Sequence, residues 1–234
     1  MRRFRGLPLL VWALLFVFSL CVGATFAASL KGKVKNHVYY SPANNFTVAV
    51  PSGTFQKWMR VEDNFSSDGG PVGLPVGVVS FSGDAGELIG IHFTRMPDKS
   101  IARLQSPDTR EAALKGWLHE GAMPFWYLRV SAQSRMIHEE MATFEGMPVL
   151  LAVLVIPEGS GLLTTATQKR MDSRRGLVIF SRGQFAYLLS TETVTAFGLV
   201  SGNAQTDSAE DWQKFADGLT SFYRSMVLTD NVGS

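Results

Sequence analysis

Histidines followed by glutamates are the first residues in this sequence whose spacing could do chemistry. His119-Glu120 and His138-Glu139-Glu140 both begin like the zinc-hydrolase motif, which needs a second histidine four residues after the first. Met123 and Ala142 stand at those two positions, so neither motif is complete. The other histidines lie in different parts of the chain. The spacing therefore predicts no metal site and indicates no cofactor.

Serine and carboxylate chemistry is also not indicated. Gly159-Ser160-Gly161 has its glycines too close together for the Gly-x-Ser-x-Gly turn, and it is typical of a hairpin tip. Glu139 and Glu140 are adjacent, so on a strand their side chains point to opposite faces and cannot share a substrate. We therefore predict that the protein is not an enzyme. An active site assembled from residues far apart in the chain stays open.

Basic residues form the charge feature that stands out. Five of them bracket a short predicted turn: Lys169, Arg170, Arg174, Arg175 and Arg182. A hairpin carrying such a cluster can bind an acidic patch on a partner protein or an anionic membrane surface. The alternative is a solvated turn, since Asp172 offsets part of the charge. We take these five residues as the candidate partner-binding site.

The first thirty residues have the layout of a secretory signal. Three arginines precede an apolar run from Leu9 to Ala24, and small residues precede the bond after Ala27. The sequence thus predicts a signal peptide over residues 1–27 and one domain over residues 28–234, exported to the periplasm or the cell envelope. An uncleaved membrane anchor is the alternative, because the apolar run approaches the ~20 residues that span a bilayer.

Cysteine content and charge narrow the function of the exported part. Cys21 is the only cysteine and lies in the predicted signal peptide, which leaves no disulfide and no cysteine metal site after cleavage. The formal net charge of +2 becomes −1 when the three signal arginines are removed. The bulk charge therefore gives no indication of nucleic-acid binding. The oligomeric state cannot be read from the sequence.

Short apolar runs separated by Gly and Pro predict an α+β fold with a central antiparallel sheet flanked by helices. The predicted strands are Val38–Tyr40, Asn45–Val50, Val76–Phe81, Leu88–Thr94, Ala132–Glu139, Met147–Ile156, Leu177–Ser181 and Phe185–Thr191. Asp108–Glu111 predicts the start of a helix that ends or kinks at Pro124. A C-terminal helix is indicated by an apolar stripe of Trp212, Phe215, Leu219, Phe222 and Met226. The glycine-rich stretch Glu62–Gly73 is predicted to be a mobile loop.

Three segments resemble PsbP-like domains. Tyr40–Pro51, with Trp58 soon after, is similar to the opening of such domains, and Arg175–Ser190 is similar to their last hairpin. The helix that contains Trp212 and Phe222 resembles their closing helix. The resemblance implies an α/β/α sandwich and a non-enzymatic role, because the fold group includes photosystem extrinsic subunits, a Ran-binding protein and bacterial envelope proteins of the DcrB type. It carries over no catalytic residue.

Together these observations predict an exported accessory protein of the envelope that binds a partner protein or a membrane surface. A periplasmic protein that binds a small apolar ligand and an exported hydrolase with a dispersed active site are the alternatives. Each predicts a different structure. An accessory protein needs a contiguous exposed patch, a ligand carrier an enclosed apolar cavity of several hundred Å³, and a hydrolase a convergent serine, histidine and carboxylate.

Overall fold

The computed structural model describes residues 31–69, 74–84, 87–128, 131–158, 172–194 and 209–229. The first strands and the first pair of helices are β1 (Lys33–Lys35), β2 (Val38–Tyr40), β3 (Phe46–Ala49), β4 (Arg60–Ser66), β5 (Val76–Ser82), β6 (Leu88–Arg95), α1 (Asp98–Gln105) and α2 (Pro107–Gly116). A π-helix (Trp117–Tyr127) continues α2. The remaining elements are β7 (Arg135–Phe144), β8 (Met147–Ile156), β9 (Ser173–Arg182), β10 (Phe185–Val194), α3 (Ala209–Arg224) and β11 (Met226–Leu228).

Seven strands form the larger of two antiparallel sheets, in the order β4-β5-β6-β10-β9-β8-β7. The central strands are apolar on both faces because both faces are covered. β8, for example, reads Met-Pro-Val-Leu-Leu-Ala-Val-Leu-Val-Ile, and Val149 and Leu150 on its opposite faces are both fully buried. The edge strands β4 and β7 carry more charged residues, as sheet edges open to solvent usually do.

One face of this large sheet packs against α1, α2 and the π-helix. Leu114, Leu118 and Tyr127 from the helices meet Leu177 and Leu188 from the sheet in one buried cluster. Among the described residues, β4 and β5 contribute nothing to this cluster. The helical layer therefore covers only the half of the sheet that runs from β10 to β7 and the adjoining edge of β6.

The opposite face packs against α3 and a second sheet. The second sheet has four strands, in the order β1-β2-β3-β11, so the last strand of the described chain pairs with one of the first. Tyr39 and Phe46 of this small sheet join Phe81, Phe93 and Tyr187 of the large sheet in an aromatic core. The Tyr39 hydroxyl also donates to Asp63 of β4 over 2.9 Å, which ties the small sheet to the edge of the large one.

The structure agrees with the predicted α+β class and antiparallel strands, but it has two sheets, the second of which was not predicted. β1, β2, β3 and β11 pair among themselves and not with the large sheet. The predicted loop Glu62–Gly73 is wrong in its first part, since Glu62 to Ser66 belong to β4, and residues 70–73 lie outside the described residues. Among the helices of the described ranges, none is both long and apolar enough to cross a membrane.

The helix predicted from Asp108–Glu111 begins one residue earlier, at Pro107, with Ser106 as its N-cap. Pro124 does not end this helical stretch. It lies inside the π-helix, whose wider turn gives the Leu128 amide a bond to the carbonyl of Met123 over 2.9 Å. The helical stretch therefore continues past Pro124 with a wider repeat.

Candidate functional site

The predicted basic cluster is divided between the two ends of one strand. Arg174 and Arg175 lie at the start of β9 and Arg182 at its end, about 25 Å away at the usual rise per residue. Lys169 and Arg170 lie outside the described residues. The three described arginines therefore do not share one patch, and their role in binding a partner stays a prediction.

Arg175 is turned toward the helical layer and is largely buried. Its guanidinium lies 2.9 Å from the carboxylate of Glu192, which faces it directly from β10. The two side chains are only 17% and 6% exposed. The guanidinium also lies over the ring of Tyr127, 5.6 Å from the ring centre. Arg175 thus lies under the π-helix in a largely buried ion pair.

A serine and a histidine lie beside this ion pair on the same sheet face. A methyl group at Gly90 would be 2.7 Å from Ser190 Oγ and 3.5 Å from His92 Nε2, so the two side chains flank that glycine. Glu192 follows Ser190 on the same face of β10. Its carboxylate pairs with Arg175 over 2.9 Å, which engages it in an ion pair.

Burial determines the protonation states of His92 and Tyr127. It lowers the pKa of His92 from 6.5 to about 3, and the positive charge of Arg175 adds to the effect. Part of the His92 surface is nevertheless exposed. Burial raises the pKa of Tyr127 to about 12, although Arg175 and Ser190 oppose the rise. Within the described chain, neither makes a hydrogen bond of ordinary geometry to the Tyr127 hydroxyl. His92 and Tyr127 are both neutral near pH 7.

The histidines of the incomplete zinc motifs have other roles. His119 Nε2 lies 2.6 Å from Glu139, and Lys115 lies 3.4 Å from the other oxygen of the same carboxylate. Glu140 is on the opposite face of β7, 3.6 Å from His138, which confirms that the adjacent glutamates point apart. No group of residues that could hold a metal ion is present in the part of the chain that the structure describes.

An open groove of about 600 Å³ lies where the β7–β8 and β9–β10 turns meet α1 and α2. Arg182, Arg110 and Glu145 line it. Arg110 donates to the backbone carbonyls of Leu104 and Gln105, and Glu145 pairs with Arg224 over 3.1 Å. Arg110 and Glu145 are therefore satisfied by the protein itself. The groove is neither enclosed nor apolar, unlike the cavity that a carrier of apolar ligands needs.

The outer side of the small sheet has a more unusual composition. Residues 31–58 contain four lysines and no aspartate or glutamate. Lys33, Tyr40, Thr47 and Val227 stand in one row across the four strands and face away from the core. We call the exposed part of this region the lysine–aromatic face, which consists of Lys31, Lys33, Lys35, Tyr40, Phe55, Lys57, Trp58 and Val227.

Two aromatic side chains project from the loop beside this sheet. Phe55 is 82% exposed, the highest value among the large apolar side chains described. Its backbone amide donates to Asp84, and the amide and hydroxyl of Thr54 donate to Glu87, so the loop is fastened to the β5–β6 turn. Trp58 is 38% exposed and stacks on His37 with the ring centres 4.0 Å apart. The Phe55 backbone and the Trp58 ring are thus held in place by the fold.

His37 is positioned by the turn between β1 and β2. Lys35 pairs with Val38, so the turn consists of Asn36 and His37, and both have positive φ angles of 51° and 60°. This is the geometry of a tight hairpin turn, which matches the twist of the two strands. Sequence reasoning missed the face that this hairpin helps to build. The signal was present as a run of lysines with no acidic residue between them.

The fold is similar to two solved structures. Cyanobacterial PsbP (CyanoP) from Synechocystis sp. PCC 6803 matches with a TM-score of 0.42 and 11% identity, over 88% of this chain and 96% of that one. A protein from Bacteroides thetaiotaomicron VPI-5482 matches with a TM-score of 0.40 and 10% identity, over 84% of this chain. The match spans 49% of the Bacteroides chain, about half its length. No protein-family model and no curated protein matches the sequence. A PsbP protein is thus among the solved structures that match, and the DcrB type stays a prediction.

Proposed function

We propose that the protein is an exported accessory protein of the cell envelope that binds another macromolecular surface through the lysine–aromatic face. The observation that carries the proposal is the composition of residues 31–58, which expose lysines and three aromatic side chains without one acidic residue. Large exposed apolar side chains grouped with charges of one sign are typical of interaction sites. In this proposal the protein catalyses no reaction.

Localisation in the periplasm or envelope is part of the proposal. It is supported by the arginines and the apolar run of residues 1–27, which are typical of an export signal. Residues 28–234 then form the exported domain. This domain has three layers: the first helices, the large sheet, and α3 with the small sheet. The order of these layers supports its assignment to the α/β/α sandwiches of PsbP-like proteins.

The two alternative functions have less support among the described residues. A hydrolase built on Ser190 and His92 would need a free carboxylate, but Glu192 is bound to Arg175. A carrier of apolar ligands would need an enclosed cavity, but the groove beside Arg182 is open and lined by charged groups. The lysine–aromatic face is therefore the feature with the clearest function.

Fractionation of cell envelopes tests the proposal. Replacing Lys33 and Lys35 by glutamate should release the protein from sedimented envelopes into the soluble fraction, because it reverses two charges of the face. The control replaces Lys99 and Arg103 of α1, which are also exposed but lie in the helical layer across the large sheet. The control should sediment like the wild type. The three proteins are compared after mass spectrometry shows that each begins after Ala27, because a retained apolar segment would sediment all of them. Equal sedimentation of three such proteins would refute the role of the face.

A further inference from the structure

We infer that the surface bound by the lysine–aromatic face is an anionic lipid membrane. The inference rests on the proposed function and names its partner. Membrane interfaces favour side chains that combine an apolar body with a polar or charged end, and lysine, tryptophan and tyrosine are such side chains. The face carries all three types, with Phe55 as the most exposed apolar group.

The charges of the face complement anionic headgroups. Lys31, Lys33, Lys35 and Lys57 are all exposed. Carboxylates that bind the small sheet and the loop are engaged with the protein: Asp63 accepts from Tyr39 and from the amide of Gly32, Asp84 accepts from the amide of Phe55, and Glu87 accepts from Thr54. Lys33 and Lys35 lie on one face of β1, because they are two residues apart on a strand, and a flat lipid surface can contact both together.

The aromatic side chains are suited to enter the headgroup layer. Phe55 is 82% exposed, so the fold buries little of its apolar surface. Most of the side chain can therefore be buried in the headgroup layer. Trp58 is held by His37, and the ammonium of Lys57 lies 5.9 Å from its ring centre. A ring that is already fixed loses little conformational freedom when it binds. The face is therefore preorganised for shallow insertion.

The sequence before β1 brings the face close to a bilayer if the apolar segment is retained. Residues 25–30 are all that separate the apolar run Leu9–Ala24 from Lys31. A linker of that length spans at most about 20 Å. A retained anchor would hold Lys31 within that distance of the membrane, where the attraction of lysine to anionic lipid is effective. If the signal is cleaved, the face must bind by its own affinity.

Vesicle binding of the exported protein, purified from cell envelopes, tests the inference. We expect binding to vesicles that contain phosphatidylglycerol, a blue shift of tryptophan fluorescence on binding, and much weaker binding to pure phosphatidylcholine. Replacing Lys33 and Lys35 by glutamine should weaken binding about 30-fold, because each lysine near an anionic surface contributes about 1 kcal/mol. Added salt should weaken the binding of the wild type.

Three further variants make the test specific. Phe55→Ser should weaken binding without changing the folded state, because the side chain is almost fully exposed. Trp58→Phe should remove most of the fluorescence shift. The pair Lys99→Gln and Arg103→Gln carries the same loss of charge on α1 and should bind like the wild type. Equal binding of the Lys33 and Lys35 variant, or no preference for anionic vesicles, would overturn the inference.

Comparison with envelope fractionation separates the two proposals. A protein that ignores anionic vesicles, but leaves the envelopes when Lys33 and Lys35 are changed, binds a protein partner through the same face. That result would overturn the lipid inference and leave the proposed function standing. A protein that binds neither anionic vesicles nor cell envelopes would overturn both the lipid inference and the proposed function.

Discussion

Arg175 and Glu192 face each other across β9 and β10 with 2.9 Å between guanidinium and carboxylate, beneath the ring of Tyr127. A charge pair this far from water is costly to break, because one lost partner leaves the other buried without compensation. A residue that the sequence suggests as a surface contact thus stabilises the inside of the fold.

Replacing Glu192 by glutamine should lower the free energy of unfolding by about 3 kcal/mol, because the charge of Arg175 would stay buried without its partner. Urea denaturation measures this change. The exposed pair Arg60–Glu62 is the control: its side chains are 77% and 61% exposed, so Glu62→Gln should cost less than about 1 kcal/mol. Similar costs at the two positions would contradict a buried ion pair.

The stability of the protein should fall in acid partly through His92. Its pKa is about 3 in the folded chain and near 6.5 in the unfolded chain, so between these values only the unfolded chain binds the proton. Stability attributable to this group is therefore full above pH 6.5 and is lost as the pH falls, by up to about 1.4 kcal/mol per pH unit. Urea titrations at about pH 7 and about pH 5 should show a smaller loss for His92→Gln than for the wild type. Equal losses of stability in the wild type and His92→Gln would show that folding does not lower the pKa of His92.

Gly176 of β9 should not tolerate a side chain. A methyl group there would lie 2.6 Å from Cβ of Phe215, an atom that cannot rotate away, so α3 would have to move off the sheet. We expect Gly176→Ala to destabilise the protein by about 1–3 kcal/mol. Gly116 of α2 has open space around it, and Gly116→Ala should stabilise by about 0.5–1 kcal/mol. Thermal unfolding of the two variants should therefore shift in opposite directions.

The bond between Tyr39 and Asp63 should control how firmly β1 and β2 are held. Tyr39→Phe removes a 2.9 Å hydrogen bond to a carboxylate, and we expect a loss of about 1.5–3 kcal/mol. A larger increase in amide hydrogen exchange in β2 than in β8, each measured against the wild type, would show that the loss of stability is local. Unchanged exchange in β2 would mean that aromatic packing alone holds the small sheet.

Strands with strong apolar patterns were predictable from the sequence. β8 is found at the predicted residues, Met147–Ile156, and β5 and β6 each extend one residue beyond their predictions. These strands are covered by protein on both faces or alternate cleanly, so the hydrophobic pattern alone marks them. β4 was missed because it is an edge strand whose exposed positions, such as Arg60 and Glu62, resemble a loop.

The site was less predictable because it depends on which strands become neighbours. Arg175 finds Glu192 through the β9–β10 register, and no spacing in the sequence specifies that the pair is buried. The lysine–aromatic face needs β11 next to β3 and the loop of Phe55 fastened by Asp84, both of which are long-range contacts. Local patterns do not specify these long-range contacts. Only the composition of the face, which has no acidic residue over 31–58, can be read from the sequence.

The pairing of Thr47 with Val227 determines when the fold can be completed. Because β11 follows β3 by more than 170 residues, β3 has an unpaired edge until residues 226–228 have been synthesised. Contacts between residues so distant in sequence form slowly. The row of Lys33, Tyr40, Thr47 and Val227 is therefore expected to close late in folding.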